Sequence, residues 1–472
     1  MILAIILYVV SALWGIYNVL LYGTRPSRSI GWLLVIIGFP FIGIVIFIIF
    51  GINRKEYKFY KLNFNAKRKL YDLNHKSDAI ENFTHQFDSS KFNEIGKLLR
   101  KSSGFPVVKN NKIKLLNDGE ATFEELFETF SKAEKFIHIQ YYIIENGELL
   151  DKLIELFTKK IKSGVEIRIL YDALGSYKWK NKSVNNLIRL GAKVYPILPL
   201  KINTILSTLN YRNHRKIAIV DGVIAFTGGV NISDKYIKSK SELGKWDDTH
   251  LRIEGPIVDH IHRVFTKDYY FASGKELLDN KYLPVQGEKG KTIAQVIVGG
   301  PDLNYHSILH QYSMMIHQAQ KSILIENPYF IPNRTLIEAL KMAVLRGVSV
   351  TLMAPKNNDS TIAKYSMHSN FETLLETGVE ICILKKRFSH SKLIIVDEEI
   401  ASVGSGNFDY RSFEHNYEIN TMIYDKEIAK ELSKNFNSNK EDCEILEYDS
   451  FKNRSVFKKL LEGFAKIFSP LL

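Results

Sequence analysis

Two long stretches near the start of the chain carry no charged side chain: residues 1–24, MILAIILYVVSALWGIYNVLLYGT, and residues 29–53, SIGWLLVIIGFPFIGIVIFIIFGIN. Each is long enough to cross the ~30 Å apolar core of a bilayer as a helix. The first lacks the basic start of a secretory leader, and a second long apolar segment follows it. The pattern predicts a transmembrane helical hairpin over residues 1–53, with Pro40 leaving a buried or re-entrant pair as the alternative. The loop between the segments holds Arg25 and Arg28. Residues 54–69 hold Arg54, Lys55, Lys58, Lys61, Lys67, Arg68 and Lys69 against Glu56 alone. The positive-inside tendency therefore places the larger, C-terminal part of the chain in the cytoplasm, and these lysines are positioned to rest on anionic membrane lipids.

Beyond residue 110 the pattern changes to alternating short runs. FEELFETFSKAEK and LDKLIELFTKKIKSG carry apolar residues at three- and four-residue spacing and predict helices. FIHIQYYII, VEIRILYD and KIAIVDG are short and rich in β-branched or aromatic residues, which predicts strands. The alternation predicts an α/β sandwich with a mainly parallel sheet. Residues 54–110 are mixed and polar and read as a basic cytoplasmic connector with some helix. In the terminal SVFKKLLEGFAKIFSPLL, Phe457, Leu460, Leu461, Phe464, Ile467 and Phe468 share one helical face, with Lys458, Lys459, Glu462 and Lys466 opposite. Such a helix can lie on a membrane or pack on a core, and its periodicity does not choose.

One strand-like run holds polar residues where a buried strand should have none. In RFSHSKLIIVDEEIASVGSGN, residues 387–407, His390 and Lys392 lie two apart and so share one face of the strand that Leu393–Val396 would form. The stretch has a twin, RNHRKIAIVDGVIAFTGGVN, at 212–231. His214, Lys216, Asp221, Gly228 and Asn231 match His390, Lys392, Asp397, Gly404 and Asn407, each pair 176 positions apart. AEKFIHIQYYII echoes AQKSILIENPYFI, and SGVEIRILYD echoes RGVSVTLMAP, at offsets of roughly 183 to 187. A repeat this long means duplicated domains, assigned to residues 111–290 and 291–472.

Composition adds an anionic partner. The net charge is +13, from 64 basic and 51 acidic residues, which by itself suits nucleic acid, acidic lipid or a phosphorylated substrate equally. Two cysteines, Cys382 and Cys443, form no metal-like spacing and no bridge framework, which points to a reducing compartment. One H-x-K-x4-D pattern would carry little weight; two at one offset, each followed by glycine and asparagine, define a site. Two lysines and two asparagines converging on a cleft suit the non-bridging oxygens of a phosphodiester. Histidine can serve as nucleophile when neutral and as general acid when protonated, and one from each half allows the roles to divide. The chemistry needs no cofactor and no metal.

HRKIAIVDG…TGGVN and HSKLIIVDE…GSGN resemble the paired signatures of the phospholipase D superfamily. The phrases GWLLVIIGFPFIGIVIFIIFG, KWDDTHLRIEGP, NPYFIPN and SVGSGNFDYRSFEHNYEIN resemble its bacterial cardiolipin synthase branch. The resemblance implies two duplicated phospholipase D-like α/β sandwich domains sharing an interface site, with phosphatidylglycerol rather than nucleic acid as substrate. It implies a catalytic set of His214, Lys216, Asp221, His390, Lys392 and Asp397, with His214 the nucleophile and His390 the acid and base. Within that set Asp221 and Asp397, at strand ends, read as organising structure. It further implies that Asn231, Asn407 and Ser405 hold phosphate oxygens, and that Asp248 and Glu418 each hydrogen-bond a catalytic histidine. Gly229 stands in the place of Ser405 in the first half. Transfer to a second lipid is the expected reaction; a membrane-bound phospholipase D-type hydrolase, a nuclease, and a non-enzymatic lipid-binding scaffold are the alternatives. Acyl-chain preference and oligomeric state are not readable from the sequence.

Overall fold

The computed structural model describes residues 2–23, 26–51, 84–179, 181–199, 209–238 and 244–472. The basic segment 54–69 lies outside the described residues.

The apolar N-terminus forms three helices where the sequence predicted two spans: α1 (Ile2–Tyr22), α2 (Pro26–Gly38) and α3 (Pro40–Phe50). The break comes at Pro40. Its ring cannot donate the helical hydrogen bond, and it is well suited to the first turn of a new helix, where it sits. The chain doubles back there. Trp32 and Phe47 meet with ring centroids 5.6 Å apart, and a Cβ on Gly43 would lie only 2.9 Å from the Val35 carbonyl oxygen. Val19 of α1 joins Ile36 and Phe47 in a small buried cluster. Among the described residues, no helix is long and apolar enough to cross a membrane.

The rest of the chain is built on one 15-stranded sheet, with strands Lys245–Asp247 and Arg387–Ser389 forming a separate two-stranded ribbon. The first half contributes β1 (Val108–Leu116), β2 (Phe136–Tyr141), β3 (Glu166–Asp172), β4 (Lys193–Ile197), β5 (Ile217–Val220), β6 (Ile224–Gly228), β7 (Lys245–Asp247) and β8 (His250–Glu254). The second contributes β9 (Thr292–Gly299), β10 (Ser322–Glu326), β11 (Ser349–Pro355), β12 (Glu380–Leu384), β13 (Arg387–Ser389), β14 (Leu393–Val396), β15 (Ile400–Gly404), β16 (Glu418–Tyr424) and β17 (Cys443–Ile445). Reading out from the centre, the first half runs β1-β8-β6-β5-β2-β3-β4 and the second β9-β16-β15-β14-β10-β11-β12-β17. Apart from β17 at the outer edge of the second half, one order is the other repeated, which is the duplication made visible. β1 and β9 pair antiparallel and join the two halves of the sheet. Each half mixes parallel pairs, such as β2 with β3, with antiparallel ones, such as β5 with β6, so the expected mainly parallel sheet is mixed.

Helices cover both faces. Ile257–Ser273 and Lys426–Lys440 share one core that spans the two halves, holding Ile261, Phe265, Val296, Ile395 and Leu432. The strands that carry the motifs, β5 and β14, are buried at every position. Each such aliphatic side chain contributes about 1.5–3 kcal/mol relative to exposure. The later part of the predicted connector belongs to the folded body: helix Ser90–Ser103 buries Ile95 and Leu99 in the core of the second half.

Candidate active site

Each motif histidine stands just before its buried strand, where it is seated by a short parallel contact with the other half. In the first, Asn213 bridges Tyr417: the His214 N–H donates to the Tyr417 carbonyl at 2.9 Å, and the Tyr417 N–H donates to Arg212 at 2.9 Å. In the second, β7 and β13 pair in parallel, and the His390 N–H donates to the Asp247 carbonyl at 2.7 Å. The first contact delivers Glu418 to His214 and the second delivers Asp248 to His390. Arg215 strengthens the first, wholly buried between Asp268 of its own half at 2.6 Å and the Gly299 and Glu418 carbonyls of the other.

Both rings therefore turn Nδ1 to a carboxylate of the opposite half. The His214 Nδ1 lies 3.1 Å from Glu418 and 3.1 Å from the Ser405 carbonyl, and the His390 Nδ1 lies 2.8 Å from Asp248. A carboxylate facing Nδ1 favours the tautomer that carries its proton there and leaves Nε2 unprotonated. His214 and His390 line one cavity of about 370 Å³ with Asn231, Asn407, Tyr142 and Arg411. Lys216 and Lys392 stand wholly buried behind them. The Lys216 ammonium donates to the His214 carbonyl at 2.6 Å, and the Lys392 ammonium lies 2.9 Å from the His390 Nδ1.

Burial governs the charges. It holds His214 down at about 4 against the pull of Glu418, and it holds His390 well below its ordinary range, helped by Lys392, Lys216 and His214. Burial also lowers Lys216 to about 7 and Lys392 to about 8, although Glu418 and Asp248 favour their charged forms. The two acids part company. Burial raises Asp248 to about 7 despite Lys392 and Lys216. Burial would raise Glu418 too, but His214, Lys216 and the Ser405 hydroxyl keep it below the usual carboxylate range. The Glu418 carboxylate also accepts from Ser412 at 3.1 Å and Asn416 at 3.3 Å.

Asp221, Asp397 and Ser405 stand apart from the other residues of the expected set. Asp221 and Asp397 stand at the far ends of β5 and β14 from the histidines, at φ 53° and 57°, a left-handed conformation that aspartate tolerates. Asp221 accepts from the backbone N–H groups of Glu134, Lys135 and Phe136, and Asp397 from those of Gln320, Lys321 and Ser322. They fasten neighbouring strands, the organising role their strand-end positions suggest, and they do not line the cavity of the histidines. Ser405 turns its hydroxyl to Glu418 and the Ile419 carbonyl, so it supports the acid and does not reach for phosphate. Its counterpart Gly229 is small for a steric reason: a Cβ there would lie 1.9 Å from the Asp248 Oδ1.

Sequence reasoning did not single out the aromatic walls. Tyr142 meets the His214 ring edge-on at 4.7 Å, and the Tyr236 hydroxyl lies 3.3 Å from the His390 Nδ1, with Trp246 and Tyr329 completing that side. Trp246 and Tyr329 fall inside the KWDDTH and NPYFIPN phrases, but aromatic residues are common in cores and nothing in their spacing marks these as lining a site.

The sequence matches the family described as "Cardiolipin synthase, PLD-like domain" over residues 126–269 and 312–440. It is 36% identical to a cardiolipin synthase of Geobacillus sp. (strain WCH70) over 95% of this chain and 89% of that one. It is 35% identical to a probable cardiolipin synthase of Bacillus subtilis (strain 168), covering 98% and 93% of the two chains. Among solved structures, the phosphatidylserine synthase of Haemophilus influenzae Rd KW20 superposes with a TM-score of 0.61 at 16% identity, over 81% of this chain and all of that one, a likeness of fold. With a duplicated sheet, two H-x-K-x4-D motifs meeting at one cavity, and relatives matched almost end to end, the chain belongs to the cardiolipin synthase family of phospholipase D-like proteins.

Proposed function

We propose that the protein is a cardiolipin synthase, a phosphatidyltransferase that joins two phosphatidylglycerol molecules and releases glycerol. The observation that carries the mechanism is the pair of histidines at one cavity, each with its Nδ1 turned to an acid of the opposite half. The Nε2 of His214 attacks phosphorus, the bond to the glycerol oxygen breaks, and His390 gives that oxygen its proton. A hydroxyl of the second phosphatidylglycerol then passes its proton to His390 and attacks phosphorus. The bond to His214 breaks, and both residues return to their starting states.

The division of roles has a physical basis in the acids. An ionised Glu418 keeps the His214 Nδ1 protonated and its Nε2 free to attack. Asp248, raised to about 7, lets the His390–Asp248 pair hold a proton near neutrality for the leaving oxygen. The anionic diester, arriving beside Lys216 and Lys392, favours the charged form of His390 in turn. Asn231 and Asn407 are the neutral donors for its oxygens, a role supported by their place in the cavity wall. Residues 111–290 and 291–472 act as the two halves of this site. The N-terminal helices expose Leu3, Leu13, Leu20, Leu34, Phe39 and Ile42, which supports a membrane seat for this unit with the catalytic body on the cytoplasmic side.

Purified protein in phosphatidylglycerol vesicles with chelator present should form cardiolipin and glycerol in equal amounts. Phosphatidic acid as the main product would make the protein a hydrolase.

A further inference from the structure

The terminal helix Val456–Ile467 is seated the wrong way round for a helix packed on a core. Its inward side carries Ala465 and the buried Glu462, which Arg454 holds at 2.6 Å while also reaching Glu372 at 2.6 Å. Its outward side carries Val456, Phe457, Leu460, Phe464 and Ile467, which are 60–73% exposed. At 3.6 residues per turn these five fall within an arc of roughly 100°, a continuous stripe. The preceding long helix, Lys426–Lys440, does the opposite and buries Ile428, Leu432 and Phe436 at 8%, 1% and 1% exposure.

This stripe is joined to the cavity mouth. Ser469, in the turn that follows the helix, shares a 2.7 Å hydrogen bond with Ser366 of helix Thr361–His368. That helix starts at Ser360, and Ser360, Ala363 and the terminal Leu472 all line the cavity beside Arg411. The exposed face therefore stands one helix away from the opening between the histidines. Exposed lysines share the helix: Lys459 and Lys466 stand on one side of the stripe, and Lys458 lies toward helix Thr361–His368. Burial, with Lys356 and Lys458 close by, holds Lys364 below its ordinary pKa.

We propose that this face of the terminal helix docks on an anionic bilayer surface and sets the cavity mouth at the headgroup plane, so that the diester reaches the histidines while its acyl chains stay in the membrane. The inference rests on the lipid-substrate reading above. Charge selects this occupant over a second copy of the chain. A symmetric self-contact would bring the same lysines face to face, whereas anionic headgroups would neutralise them while the apolar stripe enters the interface.

The test uses the full-length chain with Cys382→Ser, Cys443→Ser and Phe464→Cys, labelled with a polarity-sensitive NBD probe. In phosphatidylglycerol vesicles the emission should shift to the blue and be quenched by spin-labelled lipid. It should respond less in phosphatidylcholine vesicles. In parallel, Phe457→Asp/Leu460→Asp/Phe464→Asp should raise KM for vesicular phosphatidylglycerol about tenfold and leave turnover of a short-chain, monomerically dispersed phosphatidylglycerol unchanged. An unquenched probe overturns the proposal, as does a spectral shift that follows protein concentration in lipid-free detergent. Equal loss of the triple variant's activity on both substrates also overturns it. A quenched probe on a protein that makes no cardiolipin would retain the docking surface and reject the proposed function.

Discussion

The two histidine niches descend from one duplicated motif, yet they hold their acids differently. Around His214 the acid is Glu418, met by Ser405, Ser412 and Asn416, and it stays ionised. Around His390 the acid is Asp248, pressed against Gly229 with the Thr249 backbone N–H at 2.9 Å, and burial lifts it to about 7. Where the second half has a serine to hold its acid, the first has a glycine that makes room for one. The same backbone thus supports two proton environments, and the proposed division of roles rests on which acid keeps its charge.

Leaving-group chemistry is the strongest way to break this comparison. His214→Ala should abolish turnover of every phosphodiester, a loss of about 10⁴-fold or more. His390→Ala should lose about 10²–10⁴-fold on phosphatidylglycerol but recover most formation of the phosphoenzyme on a p-nitrophenyl phosphodiester, whose leaving group needs no proton. Equal rescue of both variants would erase the distinction between nucleophile and acid.

Exchanging the acids tests the next level. Glu418→Gln and Asp248→Asn each keep shape and remove charge, and each should cost about 10²-fold in kcat. Only Asp248→Asn should be partly relieved by the p-nitrophenyl leaving group, which rate measurements on both substrates would show.

A smaller effect comes from pH. Lys216 and Lys392 have pKa values lowered to about 7 and about 8 in the free site, so they lose charge as pH rises through that window. In kcat/KM, which reports the free enzyme, activity should fall on the alkaline side from about pH 7 to 8. A profile flat to pH 10 would show that the lysines stay charged without substrate.

The catalytic pairs were legible because their signal is local: His-x-Lys before an apolar run, repeated at a fixed offset, needs no knowledge of the fold. The seating of Asp248 beside His390 depends on the β7–β13 ribbon, two three-residue strands too short for period-two alternation to announce. Ser405 lay in the right loop, but whether its hydroxyl faced phosphate or Glu418 is a matter of rotamer, which sequence does not encode locally. The terminal helix shows the same gap. Its apolar stripe is plain in the residues, but the burial of Glu462 against Arg454 reveals that the stripe points outward. Nothing local marks helix Ser90–Ser103 as part of the folded body, because its partners lie some two hundred residues away, with Gly96 under Gln295 and Ser102 under Ser307.

The reciprocal placement of the acids makes domain seating and chemical readiness a single event. Each half lacks the group that aligns its own histidine and carries the group that aligns the other's. Parting the halves by the length of one hydrogen bond would leave both imidazoles free to rotate, so the chain works as a pair or not at all. In the proposed reaction, a phosphatidyl group held on His214 could not be turned over once the half carrying His390 had drifted away.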